Sequence, residues 1–440
     1  MNFNQIIGTL SQNLLIQNCV PAGNGHDGKT TTSIRIKNGI ISEISESLEK
    51  NDDEGLFDAG GAFVSGGWMD MHVHLREPGF EHKETIETGC RAAAFGGFTE
   101  VACMPNTKPA IHTRDVVEYI RKKAEGEAVS VHPIGCVTKD RAGKSIAEMA
   151  DMKKGGAVAF SDDGDPVYNS HVMRVALEYS SMLGMPIINH EEDLELSRPG
   201  HMNEGKVSTR LGLDGTPGIA EETMIARDIL LAGFTGGHVH VAHISTRKAV
   251  DLVRQAKKDG INVTTEVCTH HFDLTDEEVE KRNFDTNVKM HPPLRTQDDV
   301  DAMIEGLADG TIDVICTDHA PHAIEEKETE FIYAPNGIIG LETAWSICVM
   351  RLLQPGKLSL EQLLDKLVVK PREILKLDVP EIAEGKTANL TFFNTDEKWT
   401  FTPKEVRSKS RNSPYLNMEL TGRATAIFNN NQLIKNTIGR

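Results

Sequence analysis

His72 and His74 stand one residue apart in the run Trp68-Met-Asp-Met-His-Val-His-Leu75, which stops at Arg76 and a Pro78-Gly79 turn. In a strand, residues i and i+2 point to one face, so both imidazoles can serve one metal, with Asp70 a step lower on that face. Alone, the pair fits equally well a strand with two half-buried histidines. Asp163, His190, His243 and Asp318 recur at the ends of later apolar runs, and ionisable groups so placed are costly to bury unless paired or metal-bound. Imidazole and carboxylate suit zinc or a similar divalent ion, and the lack of thiolate ligands argues against iron–sulfur or copper(I). Six donors exceed one tetrahedral site and fit two divalent ions sharing a carboxylate.

The elements that must position these donors can be read from the pattern of apolar runs. Strand candidates fall at 68–74, 100–105, 130–137, 157–163, 186–190, 238–244, 262–269 and 312–318. Helical patterns lie between them, for example at 114–124 and 221–231, with apolar residues at i, i+3 and i+4. Strands alternating with helices imply a parallel sheet, and eight such units imply a closed (β/α)8 TIM-type barrel. A doubly wound open sheet would show a glycine fingerprint at its first strand–helix turn, and none is present. Active sites of such barrels lie at the C-terminal strand ends, where the six donors sit.

Alternation selects which residues face inward. In 157–163, Ala157, Ala159, Ser161 and Asp163 share a face, and small residues suit a crowded interior, which favours Asp163 over Asp162. In 238–244 the same argument points Val239, Val241 and His243 inward and His238 and His240 outward. In 312–318, Ile312, Val314, Cys316 and Asp318 share the inner face, with His319 opposite.

Before the barrel come short strands: 13–18, then a hairpin over 32–44 around Asn38-Gly39. The charged stretch 46–54 reads as a solvated loop. Short strands return after about residue 379, at 389–393 and 422–428. The expected division is therefore 1–66 and 379–440 as two halves of one small β-sandwich domain, with the barrel at 67–378.

Composition narrows the partners. A formal charge of −18 opposes nucleic acid or an anionic membrane, while leaving room for a small anionic substrate held by local cations. No run approaches the roughly 20 apolar residues of a membrane span, and Met1 to Gln5 open no secretory signal. Seven scattered cysteines without a CxxC pair read as reduced thiols of a cytoplasmic protein.

Several motifs carry a resemblance. His72-Val-His-Leu-Arg-Glu-Pro-Gly79, Met104-Pro-Asn-Thr107, Ser161-Asp-Asp-Gly164, Asn189-His-Glu-Glu-Asp193, Ala242-His-Ile-Ser-Thr246 and Thr317-Asp-His-Ala-Pro-His322 resemble dihydroorotases of the class I type, a branch of the cyclic amidohydrolases in the amidohydrolase superfamily. The likeness runs nearly the whole chain, through Glu384-Gly-Lys-Thr-Ala-Asn-Leu390. It implies that His72, His74 and Asp318 hold one Zn2+, that His190 and His243 hold a second, and that Asp163 bridges them, where hydantoinases use a carboxylated lysine. It implies reversible hydrolysis of dihydroorotate to N-carbamoyl-aspartate in pyrimidine biosynthesis, by a metal-bridging hydroxide with Asp318 as general base and acid. His74, Arg76, Asn106, His291, His322, Asn336 and Gly337 fall at substrate-contact positions. Two of these depart from the family pattern: His291 stands where Asn is common, and Asn336-Gly337 where Phe-Gly is common. A homodimer and a complex with aspartate carbamoyltransferase are the partners the resemblance brings. The competing readings are a hydantoinase or allantoinase, which Asp163 and the Arg76–Asn106 pair oppose, and a purely structural partner of that transferase, which the complete ligand set opposes.

Overall fold

The computed structural model describes residues 13–436 apart from residue 24; Met1 to Gln5, read above for a leader, lie outside the described residues. Trp68–Val73, Phe98–Cys103 and Ser130–Pro133 pair in parallel. Ile187–Asn189, Val239–Val241, Val263–Cys268 and Val314–Cys316 form a second parallel set. The two sets join twice. Phe160 bridges Gly135 on one side and Ile187 on the other, and Val73 bridges His319. The His74 N–H donates to the His319 carbonyl at 2.9 Å, closing an eight-membered ring. The expected strand at 157–163 is thus reduced to bridges at Phe160. Its backbone still pairs: Gly135 N–H donates to Ala159 O at 3.0 Å, and Ser161 N–H to Gly135 O at 2.8 Å.

Helices cover the ring, among them Ile86–Gly96, Arg114–Lys123, Ser170–Leu183, Ile219–Thr235, Arg247–Lys258 and Gln297–Asp309. The Ile86–Gly96 helix starts with a capping box, the Thr85 hydroxyl accepting from the Thr88 N–H. A cluster of Met69, Met71, Ala102, Met104, Ile134, Ala159, Ile188, Ala242 and Val314 draws on seven of the eight runs and fills the interior.

That cluster corrects part of the facing argument. Val239 and Val241 pack in the helix-side core instead, and His240 is fully buried with Nε2 3.5 Å from a Glu266 carboxylate oxygen. In the run before Asp163, Val158 packs against the interior cluster and Ala157 belongs to the helix-side core. Valine suits either face of a strand covered by helices, so residue size alone did not decide the direction. In the first strand the register slips between Asp70 and Val73. Asp70 turns to Thr317, accepting from its hydroxyl at 2.5 Å, and also takes the His72 N–H at 3.1 Å.

Both chain ends form one sheet. Asn13–Gly23 pairs antiparallel with Thr32–Lys37, which turns through Asn38 and Gly39 (φ 50° and 77°) into Ile40–Ser45. Left-handed backbone at both turn residues is what a tight two-residue hairpin requires. Phe63–Gly66 pairs with Leu390–Thr400, which pairs with Glu419–Asn429 and through it with Gln432–Lys435. Leu14, Ile16, Ile34, Val64, Phe392 and Phe428 form a core of their own beneath this sheet. The stretch at 46–54 is not wholly solvated. Glu54 is buried and accepts from Arg35 Nε at 2.7 Å, because Arg35 lies on a strand face that solvent does not reach.

Sheet and barrel are joined by packing and by charge. Trp68, Trp345 and Phe393 form a mutually packed triad, with ring centroids 4.7, 5.2 and 4.8 Å apart. Glu100, in the second barrel strand, accepts from Arg372 at 2.8 Å, from Asn389 at 2.8 Å and from His132 at 2.7 Å. Burial pushes its carboxyl up, but the His132 bond and the Arg372 charge outweigh that and draw it from 4.5 down to about 2. A carboxyl lowered on folding adds stability that is complete above the unfolded pKa and is lost as pH falls toward the folded one. Glu100→Gln should therefore cost about 3 kcal/mol near pH 6 and much less near pH 3. Thermal melting of both chains at the two pH values checks this, and an equal loss at both would exclude the ion pair as the source.

Candidate metal centre

The six donors meet at the mouth of the barrel. His72 Nε2 lies 3.3 Å from one oxygen of Asp163 and 3.6 Å from an oxygen of Asp318. His74 Nε2 lies 3.5 Å from the other oxygen of Asp163 and 2.8 Å from Asp318. On the opposite side, His190 Nδ1 is 3.8 Å and His243 Nε2 3.6 Å from the Asp163 oxygen that faces His72, and these two nitrogens are 3.0 Å apart. The donors sort into two groups of ligand size, His72–His74–Asp163 and Asp163–His190–His243, with Asp163 common to both. Asp163 is 2% exposed.

A pair of divalent cations fits this donor set. His72 Nε2 and an oxygen of Asp163 are buried and have no hydrogen-bond partner. Buried polar atoms without partners are rare in folded proteins, and two aimed at one another across 3.3 Å leave their lone pairs for an ion. Their neighbours fix the tautomers accordingly. His72 Nδ1 faces Glu266 Oε1 at 2.5 Å and His74 Nδ1 faces Asn106 Oδ1 at 2.8 Å. Each oxygen accepts a hydrogen bond from Nδ1–H, which leaves Nε2 as the ligating atom. Burial pushes the Glu266 carboxyl up, but the charges and hydrogen bonds of His72 and His240 hold it well below the usual range. Glu192 lies on the far side of His190, its carboxylate 3.6 Å from Nε2.

Backbone strain aims three of these side chains. Arg76, His243 and Asp318 have φ values of 63°, 29° and 47°, in the left-handed region that non-glycine residues seldom adopt. The turn at His243 is what brings it to the centre even though the valines two and four residues earlier face the helices. Asp162 points away, accepting the Val137 and Thr138 N–H groups at 3.0 Å each, so only Asp163 reaches the centre.

Arg76, His322, Asn336 and Gly337, expected from the sequence to contact substrate, lie together on one wall. Arg76 donates from Nε to the Pro321 carbonyl at 3.1 Å, and a terminal nitrogen lies 3.5 Å from His322 Nε2. Burial lowers its pKa to about 10 against the pull of Asp318 and Asp163, which it faces, so it stays charged at neutral pH. His322 is tied down, with Nε2 donating to the Asn336 carbonyl at 2.8 Å and Nδ1 3.4 Å from Lys83 Nζ. Burial and the nearby Arg76 and Lys83 lower its pKa to about 2, so the ring is neutral. Gly337 has φ 123°, and an added Cβ would come within 2.7 Å of the Ala320 methyl; only glycine fits. His291 does not face this wall. It stacks on His190 at 5.2 Å and bonds Glu192 at 3.0 Å, on the side of the second histidine pair. Asn106 contacts His74 rather than Arg76. Glu266 and Glu192 were missed from the sequence: each is an acid at no distinctive spacing, and only the fold sets it beside a histidine, whereas Asp70, placed by spacing on the face of the two histidines, turns to Thr317.

Comparison with known proteins identifies the family. Residues 61–249 match the family described as dihydro-orotase-like. The chain is 48% identical over 402 residues to the dihydroorotase of Geobacter sp. (strain M21), covering 91% of this chain and 94% of that one. It is 49% identical over 390 residues to the dihydroorotase of Syntrophus aciditrophicus (strain SB), covering 88% and 91%. Among solved structures, the L-hydantoinase (dihydropyrimidinase) from Arthrobacter aurescens superimposes with a TM-score of 0.83 at 24% identity over 96% of each chain, a likeness of fold. Nearly full-length identity at this level leaves one conclusion: the chain belongs to the dihydroorotase family of the amidohydrolase superfamily.

Proposed function

We propose that this protein catalyses the reversible hydrolysis of dihydroorotate to N-carbamoyl-aspartate, a step of pyrimidine biosynthesis, with zinc as the divalent ion. The observation that carries the reading is Asp163, shared by the two histidine pairs where hydantoinases place a carboxylated lysine, with the Arg76 guanidinium facing the same centre. A cytoplasmic location and partners of the kind the resemblance brings, a second copy and aspartate carbamoyltransferase, belong to the same proposal.

When bound, the ion pair supplies a water that ionises near neutral pH and a Lewis acid for the ring carbonyl. His72 and His74 through Nε2, and Asp318, would hold one ion; His190 through Nδ1 and His243 through Nε2 would hold the other, with Asp163 between them. Burial pushes the Asp318 carboxyl up, but the imidazoles of His74 and His72 beside it hold it well below the usual range. It is therefore a base before the reaction. It can take the proton of the attacking water on a carboxylate oxygen and return it to the leaving ring nitrogen, the dual role of one positioned group. Arg76, with Nε committed to Pro321, keeps its terminal nitrogens for the substrate carboxylate, where a forked contact fixes both register and orientation. His322, held neutral by its surroundings, donates to the Asn336 carbonyl and stiffens that wall.

Three measurements test this reading. The purified protein with its metal content determined should turn over dihydroorotate, and hydantoin and allantoin poorly; turnover of only the latter two would overturn the choice of substrate. Asp318→Asn should keep substantial metal yet lose about 10²–10⁴-fold in kcat, and near-normal kcat would remove it as the base. Arg76→Lys keeps the charge but loses the fork, so KM for dihydroorotate should rise about tenfold or more with a smaller change in kcat. An unchanged KM would place the carboxylate elsewhere.

A further inference from the structure

A cavity of about 730 Å³ lined by none of the residues above opens between the helix Ile86–Gly96, the turn at 126–129, the tail segment 403–411 and the last strand. Its volume is that of a pocket for a small organic ligand. Ala94, Phe95, Val129, Val406 and Ile434 give it an apolar floor. Lys404, Arg407 and Arg411 stand on its wall, and none of the three enters an ion pair among the described residues. Arg407 is already oriented: its guanidinium lies 4.8 Å over the Phe95 ring and donates to the Lys404 carbonyl at 2.7 Å. Of the acids on the wall, Glu87 is neutralised by Arg91, which leaves Glu127 against Lys404, Arg407, Arg411 and Lys435, the last held over the Phe57 ring at 4.9 Å. In a chain of net charge −18 this is a local reversal of sign. Gln432 and Asn436 spend their side-chain N–H groups on the carbonyls of Gly126 and Phe95, so their oxygens remain as acceptors on the same wall.

We propose that this cavity binds a nucleoside monophosphate, the base lying on the apolar floor and the phosphate among Lys404, Arg407 and Arg411. A flat body with hydrogen-bonding edges matches the floor and the two amides, and a dianion matches three cations of which one is already held in place. The segment carrying these cations also reaches the substrate wall. Asn412, next to Arg411, accepts the His322 N–H at 3.1 Å and donates to the carbonyls of Ala320 and Gly337 at 3.0 Å each. Ser410 donates to the Lys83 carbonyl at 2.7 Å. A ligand that draws Arg411 toward the cavity thus acts on the residues that fix His322 and Gly337. The nucleotide changes the affinity for the substrate, read as a shift in KM, and the substrate changes nucleotide affinity in the same direction. This coupling rests on the proposed activity; the binding does not, because it is read without turnover.

Calorimetric titration of the metal-loaded protein with uridine 5′-monophosphate, adenosine 5′-monophosphate and inorganic phosphate tests both parts. One saturable site per chain is expected for at least one nucleotide, with inorganic phosphate about tenfold weaker or worse. Arg411→Glu and Lys404→Ala, both at exposed positions, should each weaken it about tenfold or more. No saturable heat from either nucleotide up to about 10 mM, equal affinity for inorganic phosphate, or unchanged binding in Arg411→Glu overturns the site. Binding that leaves KM for dihydroorotate unmoved overturns the coupling alone.

Discussion

Asp163, a carboxylate 2% exposed and ringed by four imidazoles, sets the terms for everything built around it. An isolated charge at such depth would be expelled or neutralised. Here burial does push the Asp163 carboxyl up, but the imidazoles of His72, His243 and His74 around it reverse that and hold it well below the usual range. The same cluster leaves buried lone pairs unpartnered at His72 and at Asp163 itself. Such an arrangement can persist only if the surrounding frame fixes each ring, and much of the fold can be read as that frame.

The frame works through a second layer of acids and amides. Glu266 fixes His72, Asn106 fixes His74 and Glu192 lies against His190. Each comes from a different strand or the segment that follows it, so the ligand geometry depends on closure of the whole ring rather than on any one loop. Strained backbone at Arg76, His243 and Asp318 shows where that closure is put to use. Three non-glycine residues in left-handed conformations at one barrel mouth are each unfavourable by about 1–3 kcal/mol, and the packed interior beneath them supports that strain.

The sheet built from both chain ends has a mechanical part in the same scheme. Arg372 and Asn389 converge on Glu100 in the second barrel strand, and Trp68 starts the first strand packed against both Trp345 and Phe393. The tail then returns past the barrel mouth, where Ser408 bonds Glu84 and Asn412 bonds His322. Residues more than 300 positions from Arg76 therefore hold the wall on which it lies.

The order of apolar runs and helical patterns was enough to read eight strand–helix units, because period and punctuation are local properties of a chain. Strand-end position and donor chemistry likewise singled out His72, His74, Asp163, His190, His243 and Asp318 from the sequence. Tertiary structure alone decided the directions. Val239 and Val241 face helices, not the interior, and His243 reaches the centre through a backbone turn that alternation does not encode. It also decided the partners. That Glu266 meets His72 across 194 positions, that His291 bonds Glu192, and that Glu54 is buried on Arg35 follow from which strands lie side by side. Residue types carry the chemistry a chain can do, whereas hydrogen bonds between distant acids and imidazoles exist only once the ring has closed.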